Sequence, residues 1–120
     1  MKYMLLVYGA ESAWTQQERE QCMAASVELC NELNAKQQYL GASPLHPVAT
    51  ATSVKDEGGR KLVVDGPFAE THEQLGGYFL IDVPDLDAAL AIAKRIPGGS
   101  KGTVEIRPVV ELVTLPELGN

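Results

Sequence analysis

Basic residues are scarce in this sequence. Ten Lys and Arg stand against 16 Asp and Glu, so the formal net charge is -6 at pH 7. Phosphate backbones and anionic bilayers are bound through basic surfaces, and the deficit excludes nucleic acid and membranes as principal partners. Long apolar runs are also missing, none approaching the roughly 18 residues of a membrane-spanning helix. The opening Met1–Tyr8 runs into Gly9 without the hydrophobic core and small-residue cleavage site of a secretory leader. A soluble, cytoplasmic protein is expected.

Only two cysteines are present, Cys22 and Cys30. Within one helix they stand about 12 Å apart, beyond the roughly 7 Å reach of a disulfide. No CxxC or HxxxH spacing accompanies them, so zinc is not expected and both are read as free, buried thiols. The chain also lacks GxGxxG, GxxxxGK and GxSxG, which removes nucleotide cofactors and a serine nucleophile elbow. No cofactor is expected. The loop Gly98–Gly102 resembles a phosphate loop in composition, but it follows a helix and precedes a strand, the wrong order for helix-start amides to meet an anion.

What remains is the material of one α+β domain over residues 1–120, with 45% hydrophobic residues and a size at which about two thirds of the unfolded surface becomes buried. Lys2–Tyr8 carries apolar residues on both faces and reads as a strand covered on both sides. Thr15 and Glu18 have capping-box spacing, and Cys22, Ser26, Leu29 and Leu33 recur at helical spacing, predicting a helix from Thr15 to about Gln38. Val48–Val54 and Arg60–Val64 flank Asp56-Glu57-Gly58-Gly59 and predict a hairpin, with an extended edge at Pro44–Pro47. Gly77–Val83 is a further strand, apolar on both faces. Asp85 caps a second helix with Leu86, Ala89, Leu90 and Ala93 as its buried stripe, and Thr103 to about Val110 forms the last strand. Two helices cover only one face of such a sheet. The other face needs a cover, and a second copy is the simplest, so the expectation is a ferredoxin-like subunit in a homodimer, a dimeric α+β barrel.

Chemistry concentrates between Asp65 and Gly77. Asp65 ends a strand and begins a Gly-Pro turn, where its carboxylate either bonds following backbone amides or serves as a proton acceptor or ligand anchor. Gly66 fits an unusual backbone angle, Pro67 fixes φ, and Phe68 offers apolar area to a cleft or core. Thr71 and Gln74 predict one helical turn over Thr71–Leu75, with Glu70 and His72 at its start. Histidine titrates near neutrality, so His46 and His72 are the candidate proton-transfer groups beside Asp65, while Glu70 and Arg107 are candidate binding residues, Arg107 as an anion clamp. A metal held by His46, Asp65, Glu70 and His72 matches no known signature, and none is expected. Trp14 and Tyr78 are read as core or interface residues.

Five blocks in order, Val7-Tyr8, Ala49–Thr52, Asp65-Gly66-Pro67-Phe68 with Glu73–Gly77, Ile81–Asp87 and Val104–Pro108, resemble the YCII-related family and in particular its DGPF branch. The resemblance implies a dimeric α+β barrel with a His and an Asp proposed as catalytic at the subunit cleft, and a branch whose genes often neighbour those of extracytoplasmic-function sigma factors. The family's histidine sits on the first helix, but Thr15–Gln38 contains none. That pair therefore does not carry over directly. The function expected is a small, cofactor-independent enzyme using an Asp/His acid–base pair on an unidentified small molecule; the alternative is a non-catalytic ligand-binding or accessory protein of a sigma-factor-linked stress module.

Overall fold

β1 (Lys2–Gly9) is the spine of the molecule. Its alternation buries Tyr3, Leu5 and Val7 on one face and leaves Met4, Leu6 and Tyr8 half-buried on the other. The computed structural model describes residues 1–112. After β1, α1 (Gln16–Ala35) returns the chain to β2 (Tyr39–Pro44), and the hairpin of β3 (Thr52–Glu57) and β4 (Arg60–Asp65) follows. β5 (Gln74–Asp82), α2 (Leu86–Ala93) and β6 (Gly102–Pro108) complete the order.

The main sheet runs β2-β5-β1-β6 with every neighbouring pair antiparallel. This is the ferredoxin-like βαββαβ arrangement with β3–β4 inserted between β2 and β5 as a separate two-stranded sheet. Leu29 and Leu33 of α1 and Ala89, Ile92 and Ala93 of α2 pack on Tyr3, Leu5, Val7, Phe79 and Ile81, so both helices cover the same face. Leu5, Leu33 and Ile81 are the largest fully buried side chains. The radius of gyration is 16.7 Å, against about 13.6 Å for a compact chain of this length. The β3–β4 hairpin is a sheet of its own, and its Val54 and Val63 pair across the strands at 68% and 71% exposure.

The helix starts follow the sequence. Glu18 N donates to Thr15 Oγ1 at 3.1 Å while Thr15 N donates to Glu18 Oε1 at 2.9 Å, and Ala88 N donates to Asp85 Oδ1. Five other expectations are corrected. α1 stops at Ala35 because Gln37 takes a left-handed φ of 59°, a break made without glycine. β2 was not anticipated: Tyr-Leu-Gly-Ala-Ser-Pro has neither alternation nor β-branched residues, and tertiary pairing with β5 makes it a strand. Val48–Thr50 is a single 3-10 turn, so β3 begins only at Thr52. Thr71–Leu75 forms no helical turn; Gln74 Nε2 donates to Thr71 O, and β5 is already extended from Gln74. In α2 Ala89 and Ala93 are buried as expected and Ile92 joins them, whereas Leu86 and Leu90 are exposed, so the buried stripe is centred on the alanines and Ile92.

Candidate functional site

Only the C-terminal half of α1 sits on the sheet. Leu29 and Leu33 are buried there, whereas Cys22, Ser26 and Cys30 present small side chains toward the sheet and remain half-buried. Small groups cannot fill the space beneath the helix, and a cavity of about 500 Å³ opens between α1, β2 and β5. Its walls are largely apolar: Met23 and Val27 from α1, Tyr39 and Ala42 from β2, Tyr78 and Phe79 from β5, with Ile96 below α2. Gly77 also lines it and keeps the β2–β5 wall thin, since a Cβ there would meet Ser43 O at 3.0 Å. The two thiols are free but not core residues. Their expected full burial is corrected to half-burial in the cavity wall, and desolvation still raises both thiol pKa values.

Polar groups gather at one end of the cavity. Glu11 lines it, its Oε2 accepting from Val48 N at 2.9 Å and its amide donating to Gln74 Oε1 at 3.2 Å. Arg19, also lining the cavity, donates to the Glu11 carbonyl. Glu11 thereby ties the chain after β1 to the turn after β2 and to the start of β5. Trp14 closes this end, with Lys101 Nζ 5.0 Å from its ring centroid. Lys101 also donates to Ala13 O and to Glu18 Oε2, and this ion pair, with the Thr15 amide, holds the Glu18 carboxyl at about 2. Because that value lies below the ordinary 4.5, the Lys101 contact stabilises the fold above about pH 4.5 and is lost as pH falls toward 2. A Glu18→Gln variant is therefore expected to unfold more readily than the parent at pH 6, with the difference shrinking as pH falls toward 2, read from denaturation midpoints.

The expected site residues lie outside the cavity lining. His46 is exposed but stands between Leu45 and Pro47, both of which line the cavity, so it occupies the rim. Asp65 ends β4 opposite Thr52 and is exposed. The amide after it, Gly66 N, donates to Ala51 O at 2.7 Å, which joins the Asp65–Phe68 turn to the segment following His46. Gly66 has the unusual backbone angle expected of it, φ 106°. Pro67 is half-buried. Phe68 is 95% exposed, which corrects the expectation that it fills a cleft or core of its own chain. Glu70 and His72 are exposed on the connection to β5. Arg107 lies opposite Met4, toward the other end of β1 from Gly9, with Glu105 Oε2 3.7 Å from its Nη1. Glu11 is thus bonded two residues from His46, the Asp65 turn is tied to Ala51 five residues beyond His46, and Arg107 lies elsewhere. Among the described residues no group of three His, Cys, Asp or Glu side chains could hold a metal ion, and no helix is long and apolar enough to cross a membrane.

Sequence reasoning missed the cavity because its lining has no motif. Cys22, Ser26 and Cys30 recur at four-residue spacing, and that run of small side chains on the inner face of an otherwise poorly apolar helix was the available signal.

Comparison with known proteins agrees with this architecture. A Rhizobium meliloti (strain 1021) protein described as uncharacterised is 39% identical over 121 residues, covering 91% of this chain and 92% of its own length. Among solved structures, 5-chloro-2-hydroxyhydroquinone dehydrochlorinase from Burkholderia phenoliruptrix AC1100, in complex with 2,5-dihydroxybenzoquinone, superposes with a TM-score of 0.54 at 12% identity over 92% of this chain and 94% of that one. Residues 1–113 match the model of the YCII-related domain, and the chain belongs to that family.

Proposed function

We propose that this chain is a small, cofactor-independent enzyme that holds a small organic molecule in the cavity under α1 and moves a proton at its rim. The cavity carries the reading. Its volume and largely apolar wall, with a few polar groups at one end, are those of a small-molecule site. His46, between two lining residues, is the acid–base group, and Asp65, on the turn that Gly66 N ties to Ala51 O, is the carboxylate proposed to support it. The fold shared with an enzyme acting on a chlorinated hydroquinone makes phenolic compounds the first substrate class to try, by analogy of fold alone. The Asp65–Phe68 tetrapeptide supports placement in the DGPF branch. A homodimer accompanies the proposal: Met4, Leu6 and Leu80 are half-buried apolar residues on the sheet face away from the helices, and Val54, Val63 and Phe68 are further exposed apolar side chains. Arg107 and Glu105 lie on that outer face, so in the dimer they belong to the interface side rather than to the cavity.

Trp14 is the single tryptophan and lines the site, so its emission reports occupancy. Hydroquinone, catechol and their chlorinated forms are expected to quench it saturably and to raise the thermal midpoint. His46→Ala is expected to keep that binding and lose at least 100-fold in turnover, in line with typical general acid–base contributions of about 10²–10⁴. No quenching by any of these compounds overturns the cavity reading. Binding with no turnover of any of them overturns catalysis and leaves the accessory, ligand-binding alternative.

A further inference from the structure

The cavity is long as well as apolar, and its two ends differ. Along α1 it runs from Arg19 to Cys30, eleven residues or about 16 Å of helix axis. Along the opposite wall it runs from Tyr39 to Leu45, six residues or about 20 Å of extended chain. α1 and β2 run in opposite directions, so both rulers place Arg19 and Leu45 at one end and Cys30 and Tyr39 at the other. At the first end stand a carboxylate and a guanidinium, Glu11 and Arg19; at the second, Cys30 and Tyr39 pack onto the core and close the space.

A carboxylate accepts hydrogen bonds and a guanidinium only donates them. A group that satisfies both must donate one hydrogen bond and accept another, which a hydroxyl does and a carboxylate or an ammonium does not. An anionic head would meet the Glu11 charge, and a cationic head would meet that of Arg19. Resting on the reading of the cavity as the ligand site, we infer that it takes an elongated, largely apolar molecule with a hydroxyl at one end, the hydroxyl between Glu11 and Arg19 and the apolar body along α1 toward Cys30.

The experiment measures dissociation constants by Trp14 emission for phenol, 4-ethylphenol, 4-butylphenol and 4-hexylphenol, the last of which nearly spans the cavity. Affinity is expected to rise about fourfold per added methylene, the ordinary return for burying one. 4-Hexylanisole, whose methylated oxygen cannot donate to Glu11, is expected to bind about tenfold more weakly than 4-hexylphenol. Cys30→Phe fills the closed end and is expected to abolish the gain in affinity with chain length; Cys30→Met is the smaller intrusion if the phenylalanine variant does not fold. Phenol binding with no gain from the alkyl chain, or a gain that survives in the Cys30 variant, overturns the inferred orientation alone. An anisole as tight as its phenol overturns the hydroxyl assignment. Failure of every compound, phenol included, overturns the cavity reading itself.

Discussion

Replacing Leu33 by alanine is expected to lower the unfolding free energy by about 3 kcal/mol, the middle of the range for deleting a buried leucine side chain. Leu33 is 1% exposed and, with Leu29, is what seats α1 on Leu5 and Ile81. Beyond these leucines α1 borders the cavity through the small side chains of Cys22, Ser26 and Cys30 with the half-exposed Met23 and Val27 beside them, so little neighbouring apolar surface can collapse into the gap. Urea denaturation followed by far-ultraviolet circular dichroism gives the number. The same variant should bind phenols more weakly at temperatures where it is still folded, because the helix that roofs the cavity has lost its fixed end. A loss below about 1 kcal/mol would mean that α1 is held by something other than this contact.

Gly102→Ala is expected to be at least as damaging, by a different route. Gly102 pairs with Gly9 where β6 meets β1, and a Cβ built on it would lie far inside van der Waals contact distance of the Tyr8 carbonyl oxygen. That atom is backbone within a paired strand and cannot rotate aside. Relief requires parting β6 from β1 at this end, with loss of ladder hydrogen bonds, and a cost of about 3 kcal/mol or more is expected from thermal or denaturant unfolding. The backbone of Gly102 is extended, φ -164°, so the need for glycine here comes from close approach rather than from an angle barred to other residues. Gly58 makes the useful contrast. It has a φ of 58° with open space around it, so strain rather than collision opposes a side chain there.

These residues also mark how far the sequence could be read. β1, β5 and both helix starts were legible because each rests on a local rule: two-residue alternation, or a side chain capping an amide three residues on. β2 and the Val48–Thr50 turn were not, because their conformations are set by partners distant in the chain, β5 in one case and the Glu11 carboxylate on Val48 N in the other. The site divides in the same way. Asp65, Gly66 and His46 announce themselves as chemically capable residues in an unusual local context, and the fold does set Gly66 at a positive φ and His46 at a cavity rim. The cavity itself is a property of what does not fill it. The four-residue recurrence of Cys22, Ser26 and Cys30 marks a face of small side chains, but not that space is left beneath it, since the distance between helix and sheet is fixed by Leu29 and Leu33, elsewhere on the helix.

That division along α1 separates two kinds of selection. The turns carrying Leu29 and Leu33 answer to folding, and the turns carrying Cys22 and Ser26 answer to the shape of the enclosed space. Substitutions among the second group alter volume, polarity and reach without touching the contacts that hold the helix down. On the function proposed above, such a scaffold would exchange one ligand for another by single changes of side-chain size, each nearly neutral for stability, whereas a site carved from the centre of a packed core would lose stability at every step.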